Sequence, residues 1–294
     1  MRTTLLFLCT LAVTGCVRHL GAPEGEPPAL PDFDVTMIED RVYTPDDWPQ
    51  ALHADIYRPE PPGRYPTVLM VHGGGWERRS PEDTAGLARQ LAEQGFVVVN
   101  IEYRFAPEYT FPAQLHDLQM AMRWLHVHAD DYGIDRSRVG AWGYSSGAHL
   151  VTLLATVAAD TDSPLNEPYG GPVTRPRAVV AGGTPTDLRK FEGGTLVPQF
   201  LGGPQESNAA TYAAASPVTH VGADTPPHLL YHGTLDSVVP VDHAEDYRTA
   251  LNANGVDNEL LLLRGKGHVA AFLFGGAAED AGAAFLARTL TPAH

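Results

Sequence analysis

Gly143-Tyr144-Ser145-Ser146-Gly147 is the stretch on which the reading turns. It has the form G-x-S-x-G and lies between a short strand-like run, Val139-Gly140-Ala141-Trp142, and a strongly helical segment, residues 148–159. In that context the serine occupies a sharp strand-to-helix turn, at backbone angles that are costly for any residue with a side chain. The turn drives the positions two residues to either side into the neighbouring strand and helix, so glycine is needed at 143 and 147. The Ser145 hydroxyl then points to a site above the sheet, and the helix N-terminus behind it adds positive potential and free N–H donors. Ser145 is the candidate nucleophile; Ser146 is expected to contribute its backbone N–H rather than its hydroxyl.

Outward from this turn, strand and helix patterns alternate. Thr67-Val68-Leu69-Met70-Val71 and Phe96-Val97-Val98-Val99-Asn100-Ile101 are continuous apolar runs, as expected for strands buried on both faces. Ala178-Val179-Val180-Ala181, His228-Leu229-Leu230-Tyr231 and Glu259-Leu260-Leu261-Leu262-Leu263 continue the series. Ahead of them, Val35-Thr36-Met37-Ile38 and residues 52–57 read as early antiparallel strands. A helix is expected to begin at Ser80, with Pro81 at its first position, and to stop near Gly95. Residues 113–128 carry Leu115, Leu118, Met122 and Leu125 at spacings that share one helical face. This alternation predicts an α/β fold, a mostly parallel sheet of about eight strands with helices on both faces. Residues 160–177 and 184–226, rich in Pro, Gly, Thr and Ala, fit it poorly and are expected as loop insertions walling the substrate site at the C-terminal strand edge.

Two further constellations follow strand ends. His72-Gly73-Gly74-Gly75-Trp76 comes directly after the run ending at Val71. Its glycines let backbone N–H groups face a bound oxyanion, and each such donor is worth about 10²–10³ in rate. Gly73, Gly74 and Ser146 are the chosen donors, although sequence leaves open which two of the glycines 73–75 face inward. His72 reads as a residue fixing this loop, and Trp76 and Tyr144 as pocket walls. His232-Gly233-Thr234-Leu235-Asp236 follows the strand ending at Tyr231, and Gly265-Lys266-Gly267-His268 follows the strand ending at Leu263. The order Ser145, Asp236, His268 is the one this sheet topology requires of nucleophile, acid and base. His268 would take the serine proton and return it to the leaving group, while Asp236 holds the imidazole in the right tautomer. His126 and His128, two apart on a helix, face different directions, and His149 reads as structural. No metal site and no dinucleotide fingerprint is present, and no cofactor is expected.

Composition narrows the alternatives. Hydrophobic residues make up 44% of the 294 and charged residues 19%, which excludes a disordered or fibrous chain. Lys and Arg total 20 against 35 Asp and Glu, a formal charge of −15, which excludes nucleic acid as a partner. The two cysteines, Cys9 and Cys16, support neither a disulfide framework nor a zinc site.

At the N-terminus, Met1-Arg2 is followed by a mostly apolar run over residues 5–13, too short to span a bilayer and right for a secretory leader. Val13-Thr14-Gly15-Cys16 then resembles the lipobox of bacterial lipoproteins. That resemblance implies a signal peptide over residues 1–15, lipidation at Cys16, and export to the bacterial cell envelope with anchoring to the outer membrane or cell surface. Residues 16–32, with Pro23, Pro27, Pro28 and Pro31, read as a semi-extended tether holding away from the membrane a catalytic domain of residues 33–294.

Together with Tyr103-Arg104-Phe105-Ala106-Pro107-Glu108, these motifs resemble the α/β-hydrolase superfamily. Within it the match is to hormone-sensitive-lipase-like and bacterial feruloyl/acetyl esterase-like groups, over about residues 50–270. The resemblance implies Ser145 as nucleophile, Asp236 and His268 as partners, oxyanion donors from the glycine loop and Ser146, and a structural role for 103–108 with Arg104 ion-paired locally. It differs in carrying Ser146 where relatives often have Ala, and Val269-Ala270 after the histidine where Gly-Phe is common. The implied activity is that of a serine carboxylic ester hydrolase working through an acyl-enzyme on small or carbohydrate-linked esters. The alternative is an amide-directed hydrolase on the same triad, arylformamidase-like or peptidase-like, because the 72–76 string also resembles that of arylformamidases.

Overall fold

Val68, Met70 and Val98 face one apolar core, while Leu69, Val71, Val97, Val99 and Ile101 face another, so successive residues of the same runs are buried on opposite sides. This two-sided burial is why the runs are unbroken rather than alternating. The structure, a computed structural model, describes residues 17–290; the readings at residues 1–15 and at Cys16 lie outside them. Among the described residues nine strands form one sheet: β1 (Val17–Leu20), β2 (Val35–Val42), β3 (His53–Pro59), β4 (Tyr65–Val71), β5 (Val97–Ile101), β6 (Ile134–Tyr144), β7 (Val179–Gly182), β8 (His228–Gly233) and β9 (Asn258–Leu263). Their order is β1-β9-β8-β7-β6-β4-β5-β3-β2. The six strands from β9 to β5 run parallel, and β1, β3 and β2 pair antiparallel at the two margins.

The helices are α1 (Ala85–Glu93), α2 (Ala113–Val127), α3 (Ala129–Tyr132), α4 (Ser146–Ala159), α5 (Leu196–Leu201), α6 (Gln205–Ala214), α7 (Asp242–Ala253), α8 (His268–Leu273) and α9 (Gly276–Leu290). Apolar residues of α2, α4 and α7 enter one core and those of α1 and α9 the other. The first of the central helices starts later than Ser80: a 3₁₀ turn, Pro81–Thr84, precedes α1, and Ser80 makes no side-chain cap. Thr84 is instead turned inward, its hydroxyl 2.9 Å from Asn100 Oδ1.

Residues 103–110 are pinned to α2 by a buried ion pair. Arg104 Nε lies 2.8 and 3.0 Å from the two carboxylate oxygens of Asp117, and its backbone N–H donates to the same carboxylate at 2.9 Å. The guanidinium also sits over the rings of Trp48 and Tyr109.

Two expectations about loops are corrected. Residues 160–177 do not wall a site at the C-terminal strand edge. They connect a helix to the start of β7, which puts both ends of the segment at the opposite rim, and they fold along the outside of α2. Gln119 donates to the Leu165 carbonyl at 2.9 Å, Arg123 to those of Tyr169 and Gly170, and Trp48 meets Tyr169 edge-on at 4.7 Å. Residues 184–226 leave the C-terminal end of β7, form α5, α6 and short 3₁₀ turns, line the cavity beside Ser145 with Phe191 and residues 193–197, and return to the start of β8.

The second correction concerns the tether and the boundary at residue 33. Val17–Leu20 is part of the sheet, paired antiparallel with β9 from Val17↔Leu263 to Leu20↔Leu260. His19 Nε2 lies 2.7 Å from Glu259 Oε2, and Arg288 of α9 holds the other oxygen of that carboxylate. Since β1 and β2 are the two opposite edges, residues 21–34 must pass beneath the N-terminal ends of the strands between them. Eight inter-strand gaps at about 4.8 Å make about 38 Å. Fifteen Cα steps, from residue 20 to residue 35, reach about 50 Å fully extended. The segment is thus a strap long enough for the crossing with about 12 Å to spare, and its prolines favour the extended backbone it needs. Gly21, at φ 73°, packs where a Cβ would stand 2.6 Å from the Asn258 carbonyl. Further along, Pro31 covers Gly95, and the Phe33 N–H donates to the Glu93 carbonyl at 2.8 Å.

Deleting residues 22–29 would leave seven steps, about 25 Å, too short for the crossing. Hydrogen exchange is then expected to show β9 losing protection on the side that β1 covers, while replacement of the same eight residues by Gly/Ser preserves it. Protection unchanged by the deletion would refute the strap.

Candidate active site

Ser145 stands between β6 and α4 at φ 55°, ψ −123°. Its N–H donates to the Gly182 carbonyl at 2.8 Å, and its carbonyl accepts from the His149 N–H at 2.9 Å. The flanking glycines are sterically required. A Cβ on Gly143 would lie 2.4 Å from the Gly147 carbonyl carbon, and one on Gly147 would lie 2.2 Å from the Val71 carbonyl oxygen.

The loops after β8 and β9 bring the other two groups to this turn. Asp236 Oδ1 accepts from the N–H groups of Val238 and Val239 at 2.9 and 2.8 Å, which fixes the carboxylate in its own turn. His268, the first residue of α8, donates from Nδ1 to Asp236 Oδ2 at 2.6 Å. That leaves Nε2 to accept from the Ser145 hydroxyl, with 2.9 Å between Nε2 and Oγ. Gly233 permits the approach: a Cβ there would stand 2.3 Å from the Lys266 carbonyl oxygen, in the loop that carries His268. Burial acts to raise the Asp236 carboxyl, but the nearby His232 imidazole, the hydrogen bond from His268 and that from the Val239 N–H outweigh it and hold the group well below the usual carboxylate range. The acid therefore stays ionised wherever the protein is folded in ordinary buffers.

The glycine loop lies against the same turn. A Cβ on Gly73 would be 2.9 Å from the Tyr144 carbonyl oxygen and 3.4 Å from Ser145 Cβ, so this position touches the turn itself. Gly74 and Gly75 have φ of 125° and 67°, conformations that suit glycine. Among the described residues the N–H groups of Gly73, Gly74 and Ser146 meet no protein acceptor, which leaves them available to an oxyanion. His72 is wholly buried, stacked on Tyr103 at 4.6 Å with Nδ1 at 2.6 Å from the Gly73 carbonyl, and burial lowers its pKa. Both facts suit a loop-fixing residue. His149, buried behind the turn, accepts from Trp76 Nε1 at 3.2 Å and donates to the Ala215 carbonyl at 2.7 Å.

A cavity of about 200 Å³ adjoins Ser145. Trp76, Leu196, Val197, Phe191 and Val238 supply its apolar wall. Trp76 stacks on Phe200 of α5 at 4.6 Å. Tyr144 is not part of this lining. As the neighbour of a strained residue at a strand end it points to the other face, where it lines a separate cleft with Trp142, Tyr231 and Phe272 and donates to the His268 carbonyl at 2.7 Å. The cavity wall from 191–197 carries no motif in the sequence; only its position after β7 pointed to it. Among the described residues no cluster of three or more His, Cys, Asp or Glu is placed to hold a metal ion.

A largely parallel sheet with its loops converging on a strand–serine–helix turn defines an α/β-hydrolase fold. The chain belongs to the BD-FAE family, whose model matches residues 54–251. It is similar to the "Probable carboxylic ester hydrolase LipM" of Mycobacterium tuberculosis, 32% identical over 210 residues, which are 67% of this chain and 48% of that protein. The chain spans about half the length of the curated relatives it matches. Among solved structures it is similar to a bifunctional GH43-CE protein of Bacteroides eggerthii, with a TM-score of 0.77 and 26% identity over 87% of this chain and 35% of that one. A truncated carbohydrate esterase from gut microbiota gives a TM-score of 0.77 at 22% identity, covering 91% of this chain and all of that one.

Two outcomes follow from this geometry. Gly143→Ala forces its new methyl into the backbone at 147, so the thermal midpoint should fall by several degrees and labelling of Ser145 by a fluorophosphonate should drop in the fraction that stays folded. The carboxyl of Asp236 is lowered on folding, so its stabilising contribution is present above the unfolded value, about pH 4, and fades as pH falls through the folded one. The difference in thermal midpoint between wild type and Asp236→Asn should therefore be largest near neutrality and shrink below about pH 4; a difference independent of pH would contradict the assignment.

Proposed function

We propose that this chain is a serine carboxylic ester hydrolase acting through an acyl-enzyme on esters of short acyl groups with small or carbohydrate alcohols. The hydrogen-bonded series Ser145, His268, Asp236 beside a small apolar cavity is the observation that carries the reading. Ser145 Oγ attacks the ester carbonyl carbon while His268 Nε2 takes its proton. The carbonyl oxygen, now an anion, is held by N–H groups of the 73–74 loop and of Ser146. The tetrahedral species collapses, the C–O bond to the alcohol breaks, and His268 returns the proton to the departing oxygen. Water then repeats the sequence in reverse and frees the acid. The esterases and the carbohydrate esterase among similar proteins support this class.

Dimensions support the short acyl group. The cavity beside Ser145, about 200 Å³ and walled by Trp76, Leu196 and Val197, has ample room for an acetyl to butyryl chain. A second, larger basin of about 620 Å³ shares Phe191, Gly193 and Gly194 with it. Glu192, Gln205 and Glu206 line that basin with hydroxyl-binding groups, suited to a polyhydroxy alcohol. Export and lipidation at Cys16 are part of the same proposal and rest on the leader-like sequence.

Ser145→Ala should reduce turnover of aryl acetates by at least about 10⁴-fold, and Asp236→Asn by a comparable factor through the wrong histidine tautomer. Across aryl esters of graded acyl length, kcat/KM should peak between two and four carbons and fall at least about tenfold by ten carbons. Persistent turnover in Ser145→Ala would refute the mechanism; a preference for feruloyl or long-chain esters would refute the acyl assignment alone.

A further inference from the structure

Asp236 has a second imidazole beside it. His232, the penultimate residue of β8, is 1% exposed, with Nε2 at 2.8 Å from the Val239 carbonyl oxygen and 3.4 Å from Asp236 Oδ2. Its Nδ1 is buried and meets no partner. Both neighbours of Nε2 are acceptors, so a proton on that nitrogen is used and one on Nδ1 would be an unsatisfied buried donor. The Nε2–H tautomer therefore donates to Val239 and leans its positive end on the carboxylate.

The Val239 bond closes a small circuit. The Val239 carbonyl accepts from His232, while the Val239 N–H donates to Oδ1 of the same Asp236 whose Oδ2 faces both imidazoles. Through this residue His232 ties the end of β8 to the turn that wraps the acid. We propose that His232 is a positioning residue that fixes the Asp236 carboxylate where it can orient His268. The inference rests on the reading of Ser145, His268 and Asp236 as a working triad. His232 does not line the cavity beside Ser145, so its effect is on the chemical steps and not on substrate binding.

The titratable groups facing this circuit come from four elements, β6, β8, α7 and α8. His232 belongs to β8 and His268 to α8, where the Tyr144 ring lies 5.2 Å from it. His243 of α7 is the next imidazole toward His232; burial, with Lys190 second, lowers its pKa to about 4, so it does not change charge between pH 5 and 9. Removing the His232 donor leaves the carboxylate with one partner fewer and more of its charge directed at His268. The pairing of that carboxylate with His268 is then altered, and the acid limb of activity moves to higher pH.

The test compares wild type, His232→Phe, which keeps a ring but no donor, and His232→Gln, whose amide restores an N–H near Nε2. In His232→Phe, kcat on an aryl acetate should fall about 10- to 100-fold with KM within about twofold, and the acid limb should shift upward. His232→Gln should recover most of the rate and return the limb. A Phe variant with kcat within twofold of wild type, or a Gln variant as impaired as the Phe variant, overturns the proposal. Nitrogen-15 histidine spectra of the unaltered protein at about pH 7.5 supply a readout independent of variant folding: His232 should show a proton on Nε2 and none on Nδ1, and the reverse pattern overturns it. Ser145→Ala, run alongside, separates the two readings, since retained turnover there would sink the triad, whereas a dead Ser145→Ala with an unaffected His232→Phe sinks the His232 role alone.

Discussion

One backbone irregularity holds the rest in place: Ser145 at φ 55°, ψ −123°, a conformation that costs about 1–3 kcal/mol for a residue with a side chain. The surroundings over-determine it. Its N–H is bonded to β7, its carbonyl to the second turn of α4, and the glycines two residues away lie against backbone rather than side chains. Gly147 packs on the carbonyls of Val71 and His72, the very residues that lead into the glycine loop. The serine turn and the glycine loop are thus one packing unit.

The sheet order does the remaining assembly. β4, β6, β8 and β9 are parallel members of one sheet, so the loops leaving their C-terminal ends share a rim. The loops that carry Asp236 and His268 are pressed together at Gly233, and Tyr144, pointing away from the cavity, ties the His268 loop back to the serine turn through the His268 carbonyl. The side chain next to Ser145 thus braces the turn from behind.

What sequence made legible was whatever rests on local chemistry. The serine turn, the glycine loop and the strand-end Asp236 and His268 announce themselves because few residue types satisfy the backbone and hydrogen-bond demands at those points. What escaped depends on contacts between distant segments. Val17–Leu20 is too short to signal a strand and is one only because β9 offers an open edge. The path of residues 160–177 is set by carbonyls meeting Gln119 and Arg123, and the side to which Tyr144 turns is set by the twist of a strained residue beside it. His232 carried a motif but no hint of its partner, because its tautomer is fixed by a carbonyl seven residues on.

The strap beneath the sheet has a consequence for how the domain is moored. With Val17 already hydrogen-bonded along β9, the proline-rich stretch lends no slack to anything fused or attached ahead of it. A link at that end meets the domain at the β9 flank, and the proline-rich stretch stays inside the folded body instead of serving as a leash.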